Sequence, residues 1–378
     1  MAPDAARSDR ESRASADRRS ALSAPHPAST MFFIRPIQRH DLDAVLALSE
    51  HTGAGLTSLP ANADRLAAFI GRSVASFAGE ATRADECYMF ALVDAGSGNL
   101  VGVSGIEAAV GLREPWYNYH VGTQVHASRE LDVYTAAPTL FLSNDHTGCS
   151  ELCSLFVDVR YRRGKNGSLL SKSRLLFVAD FAERFAPKLI ADLRGRSNEE
   201  GKSPFWEGLG RHFFAMDYSR ADYLTGLGDK SFIAELMPRH PVYTVLLPAD
   251  ARAVIGEVHD ATIPARALLE SEGFRYEGYV DIFDAGPTVE CFRDDVRLSR
   301  RSQLLPVSIG DAGVAVEDPA QDVDWLVSNR RYADFVALLC RAPRRPLQLA
   351  LLPHQARTLG VHEGDVVRAV PLSPRDRV

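Results

Sequence analysis

Apolar and polar positions alternate with recognisable periods in the first part of the chain. The predicted elements are a strand from Met31, a helix capped by Asp41, a helix over 63–77, and strands over 88–93 and 100–109. The two strands are joined by a loop whose glycines can supply the positive φ of a hairpin. The predicted order of this part is therefore β-α-α-β-β.

The most regular pattern covers residues 151–185. Residues 151–159 (ELCSLFVDV) form a continuous apolar run typical of a buried strand. A basic turn with two glycines follows and leads into a long helix. The apolar residues of that helix fall within one stripe, which predicts a face buried on a sheet: Leu170, Phe177, Phe181 and Phe185.

Shorter patterns fill the rest of the central part. Residues 110–150, rich in Trp, Tyr, His and Asn, show no period and are interpreted as irregular. The later predicted elements are helices over 203–214 and 264–272 and strands over 189–193, 232–236, 242–247 and 274–283.

Composition shifts divide the chain into three parts. Residues 1–30 are rich in Ala, Ser, Arg and Pro and predict a disordered extension. Residues 31–297 form the main domain, which ends at a basic, linker-like patch. Residues 298–378 contain short apolar runs separated by turns, and GVHEGDVVRAVPL (360–372) resembles small interlocked β-barrels. We therefore expect a small β-rich, barrel-like subdomain there.

Composition and charge exclude several classes of function. With 46% hydrophobic and 24% charged residues and a net charge of −6, the chain has the balance of a globular protein and no basic footprint for nucleic acid. No stretch is long and apolar enough for a membrane span, and the N-terminus lacks the apolar core of a signal peptide. Five cysteines without paired spacing favour buried thiols in the cytoplasm. No zinc set emerges, so no metal is expected.

The basic turn before the long helix is the first candidate for chemistry. Backbone N–H groups at a helix start are unpaired and carry partial positive charge, so they can hold a pyrophosphate. Arg162, Arg163 and Lys165 would add full charges there. The turn contains neither a Walker P-loop nor a GxGxxG fingerprint, and a solvated loop is the alternative interpretation.

The order of elements looks like that of the GNAT-type acyl-CoA-dependent N-acyltransferases, and longer motifs point to one family among them. The sequence resembles bacterial arginine N-succinyltransferases from Met31 to about Arg297. The segments that carry the resemblance are GLTSLP (55–60), PWYNYHVGTQVHAS (115–128), LFLSNDHTG (140–148), ELCSLF (151–156), NGSLLSKSR (166–174), SPFWEGLG (203–210), FIAELMPRHP (232–241), VIGEVH (254–259) and EGFRYEGYVDIFDAGPT (272–288).

The resemblance implies a fold, a reaction and site residues. The expected fold is α+β, with a mixed, mostly antiparallel sheet flanked by helices. The expected reaction moves succinyl from succinyl-CoA, a cosubstrate, to the α-amino group of L-arginine, with no prosthetic group. Leu155 falls on the family's succinyl-CoA position and His259 on its proton donor, while Asn166 and Gly167 match the NG of its cofactor turn. The family also implies a homo-oligomer or a hetero-oligomer with a paralogous subunit.

Other polar residues are weaker candidates. The loop with Asn144, Asp145 and His146 could line the site or satisfy only its own backbone. Arginine requires a carboxylate for its guanidinium and the succinyl tail requires a cation. Candidate carboxylates are Asp281, Asp284 and Glu290, and candidate cations are Arg129 and Arg160.

Two alternatives remain open at the level of sequence. The chain could acylate ornithine or another amine with the same fold. It could also be a CoA-binding or arginine-binding subunit without catalysis, although a histidine at position 259 argues against that.

Overall fold

The computed structural model describes residues 31–51, 59–198, 200–226, 231–310 and 322–375. The predicted disordered extension 1–30 and residues 55–58 of the GLTSLP segment lie outside the described residues.

The described strands follow one another in this order: β1 (Phe32–Pro36), β2 (Cys87–Asp94), β3 (Leu100–Glu107), β4 (Asn118–Ser128), β5 (Val133–Ser143), β6 (Ser150–Val157), β7 (Lys188–Asp192), β8 (Val242–Tyr243), β9 (Arg275–Val280), β10 (Pro287–Phe292), β11 (Gln303–Ile309), β12 (Val323–Ser328), β13 (Ala337–Ala342), β14 (Leu349–Leu351) and β15 (Val366–Pro371). The described helices are α1 (Leu42–Ser49), α2 (Ala63–Phe77), α3 (Asn166–Asp180), α4 (Arg211–Phe214), α5 (Tyr218–Gly226), α6 (Ser231–Leu236), α7 (Ala249–Ala253), α8 (Ile263–Glu270), α9 (Arg297–Arg301) and α10 (Pro353–Leu359).

The strands form one sheet in the order β14-β11-β15-β12-β13-β1-β2-β3-β6-β7-β10-β9-β4-β5-β8. Neighbours pair antiparallel except β6 with β7 and β11 with β14. The predicted mixed, mostly antiparallel sheet is therefore confirmed. Because β13 pairs with β1, the C-terminal strands extend the main sheet, and closure of a barrel is not among the described pairings.

Helices cover both faces of the sheet around β2. Every residue of β2 is buried, as expected for a strand covered on both sides. Its side chains at 88, 90 and 92 pack with α3, whereas those at 89, 91 and 93 pack with α1 and α2. Around β2 the sheet is thus the middle layer of three.

Helix α3 differs from the predicted one in two ways. It ends at Asp180, so Phe181 and Phe185 lie beyond it. It is also buried on nearly all sides, because Leu326 and Phe335 of the C-terminal unit pack in the same apolar cluster as the helix and the main sheet. A helix enclosed in this way need not confine its apolar residues to one stripe.

Two predictions about local structure were wrong. Residues 118–143 form a long hairpin, β4 and β5, rather than an irregular segment. Its outer part is exposed on both faces, so no alternation of apolar and polar residues marks it. Residues 232–236 belong to α6 and not to a strand, because a short apolar run fits either element.

Candidate active site

The candidate site begins where two parallel strands separate. Strands β6 and β7 pair at Ser150 with Leu189 and at Glu151 with Ile190, and the pairing stops there. Beyond that point β6 pairs only with β3 among the described strands. The gap between the diverging strands offers main-chain groups of β6 to a ligand.

A bulge in β6 lies beside this gap. Ser154 has a φ of 53°, in the left-handed region, and the register with β3 shifts at this point. Gly105 of β3 faces the bulge, and a Cβ there would stand 2.9 Å from the sulfur of Cys153. The absence of a side chain at 105 therefore lets β3 approach the bulge closely. Leu155, the predicted succinyl-CoA residue, directly follows Ser154 and is half-buried.

Arg174 of α3 supports the bulge from below. Its side chain is 2% exposed, and its Nη1 donates to the carbonyls of Gly105, at 3.2 Å, and Cys153, at 3.1 Å. Burial lowers the pKa of Arg174 to about 10, so the guanidinium stays charged at neutral pH. No ion pair to Arg174 occurs among the described residues. The bulge therefore lies above a buried guanidinium whose charge Glu151 offsets in part.

The basic turn lies at the other end of β6. A short 3-10 helix, Val159–Tyr161, leads to Gly164 at φ 60° and then to the first turn of α3. A Cβ built on Gly164 or Gly167 would meet nothing within 4 Å, so the helix start is open to a ligand. This geometry suits an anion at the helix N-terminus.

Side chains of the turn have different roles. Arg162 donates through Nε to the carbonyl of Val157 at 2.8 Å and lies over the ring of Phe156. Lys165 pairs with Asp324 of the C-terminal unit. Asn166 is buried and donates to the carbonyl of Tyr161 at 3.1 Å. Arg163 is exposed on the cavity wall.

One cavity of about 1360 Å³ joins these features. Among the predicted cofactor residues its lining includes Leu155, Arg162, Arg163, Lys165 and Gly167. Asn166 is not on the lining, since its side chain points into the protein interior. The cavity runs past the β6 bulge to a wall made by the end of β7 and the segment before β10.

His259, the predicted proton donor, lies behind that second wall. Ala261 and Thr262 line the cavity, and the imidazole itself is half-buried next to them. The backbone N–H of His259 donates to the carbonyl of Arg194, and its Nδ1 accepts the N–H of Ala261 at 3.1 Å. Because Nδ1 accepts, the neutral ring carries its proton on Nε2. Burial and the nearby Arg194 guanidinium lower the pKa of His259 below 6.5.

Carboxylates gather on the same wall. Asp281 and Asp284 both line the cavity. Asp284 accepts the N–H groups of Gly195 and Gly286 and the hydroxyl of Tyr218. Burial raises the pKa of Asp281, whose Oδ1 accepts two backbone N–H groups. Sequence reasoning missed Asp192, which also lines the cavity at the end of β7.

The loop with Asn144, Asp145 and His146 is not on the cavity lining. His146 is buried and contacts Asn118 through Nδ1 and Glu290 through Nε2, both at 2.9 Å. The Oδ1 of Asn118 also accepts the indole N–H of Trp116. Asn118 in turn donates to Thr288, which donates to Asp192. The loop therefore supports the cavity wall from behind.

The weaker cation candidates are also elsewhere. Arg160 is exposed and pairs with Asp158, and Arg129 is exposed near the tip of the hairpin. Neither lines the cavity.

In the described ranges no cluster of three or more potential metal ligands occurs. No helix of the described chain combines the length and apolarity needed to cross a membrane. All five cysteines are buried free thiols, as predicted.

The separating parallel strands, the bulge beside them, the basic helix start and the large cavity agree with the GNAT-type, acyl-CoA-dependent N-acyltransferase architecture that the sequence motifs led us to expect. The family model for the arginine N-succinyltransferase beta subunit matches residues 32–298, and the model for the C-terminal domain of that subunit matches residues 305–371. The chain belongs to this family.

Individual relatives agree with the family. The arginine N-succinyltransferase of Citrobacter koseri is 51% identical over 92% of this chain and 99% of its own length. That of Yersinia enterocolitica is 52% identical over 90% of this chain and 98% of its own. Among solved structures, subunit AI of the arginine/ornithine succinyltransferase of Pseudomonas aeruginosa superposes with a TM-score of 0.83 at 37% identity, covering 91% of this chain and all of that one.

Proposed function

We propose that this chain transfers succinyl from succinyl-CoA to the α-amino group of L-arginine, giving N2-succinyl-L-arginine and CoA. In the family this is the first step of arginine degradation by the succinyltransferase pathway. The observation that carries the proposal is the identity of about half of all aligned positions with enzymes named for this reaction, over almost their whole length.

The proposed cofactor site uses the open end of the β6–β7 gap. The pyrophosphate of succinyl-CoA would lie on the first turn of α3, near Arg162, Arg163, Lys165 and Gly167. Asn166 would act indirectly, by fixing the turn through its bond to Tyr161. The pantetheine arm would pair with the main chain of β6 around Leu155, so the side chain at 155 need not be polar.

The proposed chemistry is direct attack without an acyl-enzyme. The neutral α-amine attacks the thioester carbonyl beside the β6 bulge, where backbone N–H groups and the charge of Arg174 would stabilise the oxyanion. The C–S bond then breaks with its electron pair on the sulfur. The proton lost by the attacking nitrogen passes through solvent to His259, and the imidazolium so formed gives its Nε2 proton to the departing sulfur, which leaves the ring neutral again. The carboxylates of the opposite wall, Asp284 among them, would attract the cationic substrate. The loop residues Asn144, Asp145 and His146 would contribute only by holding that wall.

A thiol-release assay tests the proposal. Succinyl-CoA and acetyl-CoA are each offered with arginine, ornithine and lysine, and free CoA is followed with a thiol reagent. We expect the fastest release with succinyl-CoA and arginine. Release with none of the six pairs would overturn the proposal and favour a binding subunit without catalysis.

Ornithine is the second candidate acceptor. The name of the Pseudomonas aeruginosa relative includes both arginine and ornithine, and that chain is similar over all of its length. In the same assay, faster release with ornithine than with arginine would favour this alternative.

We also propose an oligomer, a domain division and a location. Apolar side chains exposed on the β4–β5 hairpin support an interface there, with Leu131 75% and Tyr134 73% exposed. A separate apolar cluster to which both β13 and β14 contribute supports a barrel-like C-terminal subdomain within residues 298–378, after a domain over 31–297. A cytoplasmic enzyme would agree with its five unpaired thiols.

The proposed interface on the β4–β5 hairpin is tested by light scattering of Tyr134→Asp. The variant should have a smaller particle mass than the parent chain, and an unchanged mass would place the interface elsewhere.

A further inference from the structure

Both substrates of the proposed reaction carry a carboxylate. Succinyl-CoA has one at the end of its acyl group, and arginine has one beside the amine that attacks. An enzyme that selects these substrates requires a cation in the cavity that is not already neutralised by the protein. The inference below rests on the proposed function only for the identity of these two substrates.

Most cations on the described part of the cavity wall already have partners. Arg72 pairs with Glu107, Lys165 with Asp324 and Lys172 with Glu272. Arg174 donates to main-chain carbonyls and to Ser171. Arg163 is exposed at the cofactor turn, at the far end of the cavity from the second wall. These residues are poorly placed to bind a substrate carboxylate near His259.

Arg194 has a different environment. It is half-buried on the cavity wall, two residues after the end of β7. One terminal nitrogen donates to Ser197 at 2.9 Å, but its Nε is buried without a hydrogen-bond partner. No carboxylate pairs with it among the described residues. A buried guanidinium N–H without an acceptor and a charge without a carboxylate partner are both unfavourable, and an anion in the cavity would neutralise that charge.

The backbone at Arg194 is rigidly held beside the proton donor. Its carbonyl accepts the N–H of His259 at 2.9 Å. The N–H of Gly195 donates to Asp284 at 2.7 Å, and Gly195 forms a bridge with Val258. A Cβ on Gly195 would stand 2.5 Å from the carbonyl oxygen of Asp284, so the two segments are in direct contact. A group bound by Arg194 would therefore have a fixed position relative to His259.

We propose that Arg194 is the carboxylate-recognition residue of this cavity and that its guanidinium pairs with a carboxylate of one of the two substrates. The terminal carboxylate of the succinyl group and the α-carboxylate of arginine share this chemistry. Each substrate has an analogue without that carboxylate, so binding measurements can show which of the two carboxylates pairs with Arg194.

The experiment compares Arg194→Gln with Arg196→Gln. Arg196 is the matched control, because it is an exposed arginine of the same segment that pairs with Asp260 and is not on the cavity lining. Titration calorimetry gives dissociation constants for succinyl-CoA and acetyl-CoA, and for arginine and its carboxamide, argininamide. The same pairs are then compared in turnover.

We expect Arg194→Gln to weaken one carboxylate-bearing ligand on the order of 10- to 100-fold relative to its neutral analogue, with partial recovery in Arg194→Lys. Loss confined to succinyl-CoA identifies the acyl carboxylate, and loss confined to arginine identifies the α-carboxylate. Arg196→Gln should change neither ratio.

Equal weakening of charged and neutral ligands by Arg194→Gln, or no weakening, would overturn the inference. A fold defect cannot imitate the expected result, because it would affect both members of a pair. If the unaltered chain binds these ligands selectively but releases no CoA, the proposed reaction fails while carboxylate recognition stands.

Discussion

At the end of β7, Arg194 and His259 influence each other directly. The guanidinium repels the protonated imidazole and, together with burial, lowers the pKa of His259, whereas Asp260 raises it. At pH 7 the ring is therefore neutral, with its remaining proton on Nε2, because Nδ1 accepts the N–H of Ala261. The charge of Arg194 and the proton carried by His259 can therefore be altered separately, each by its own substitution.

The first prediction concerns charge. Removing the cation in Arg194→Gln should raise the pKa of His259 toward its ordinary value of 6.5, because protonation is no longer opposed by that charge. Asp260→Asn should lower it further, since a favourable negative charge is lost. NMR titration of the imidazole measures the pKa of His259 in each variant. A lower pKa in Arg194→Gln, or a higher pKa in Asp260→Asn, would contradict this electrostatic assignment.

The second prediction concerns the proton. His259→Ala should lower kcat by about 100-fold or more, as expected when a general acid is removed, while the dissociation constant of CoA changes less than about threefold. His240→Ala is the control, because that histidine is exposed and, unlike His259, is not followed closely by residues of the cavity lining such as Ala261 and Thr262. Unchanged turnover in His259→Ala would exclude the proposed role.

Among the helices and strands, the sequence predicted best those that depend on a local pattern of residues. Strand β6, the basic turn and α3 were found because a long apolar run, glycines and a helical period follow one another. The β4–β5 hairpin was missed because its outer part is exposed on both faces. Arg174, Arg194 and Asp192 were missed because distant pairings, such as Gly195 with Val258, bring them to the cavity. No local pattern records such pairings.

Gly286 and Gly167 differ in the space available for an added methyl group, and this difference predicts different effects on stability. A Cβ at Gly286 would stand 2.0 Å from the carbonyl oxygen of Leu193, so Gly286→Ala should lower the free energy of unfolding by about 1–3 kcal/mol. Gly167→Ala adds a methyl group in open space within α3 and should change stability by less than about 1 kcal/mol, in the stabilising direction. Urea denaturation compares them, and equal stability of both variants would contradict the close contact at 286.

At the scale of the whole molecule, the C-terminal unit is joined to the main domain by more than the continuous sheet. Glu272 is 1% exposed and pairs with Lys172 of α3 at 2.7 Å and with Arg297 at 2.8 Å. The same two cations donate to the carbonyl of Leu372, and Arg297 also donates to that of Pro371. The buried carboxylate of Glu272 therefore positions Lys172 and Arg297, which donate to the main chain at the end of β15.

Removal of that carboxylate should destabilise the molecule strongly. Glu272→Gln leaves two cations without their partner, and we expect a loss of about 3–5 kcal/mol in the free energy of unfolding. Glu270→Gln, which alters an exposed pair with Arg266, should cost less than about 1 kcal/mol. Calorimetry should show a single transition for the whole described fold, and separate melting of the C-terminal unit would contradict this coupling.

The identity of the product tests the proposed reaction directly. Purified protein is incubated with succinyl-CoA and L-arginine, and the product is analysed by mass spectrometry and NMR. We expect arginine carrying one succinyl group on its α-nitrogen, with one CoA released for each product formed. Unmodified arginine, or succinylation at the guanidinium, would contradict it.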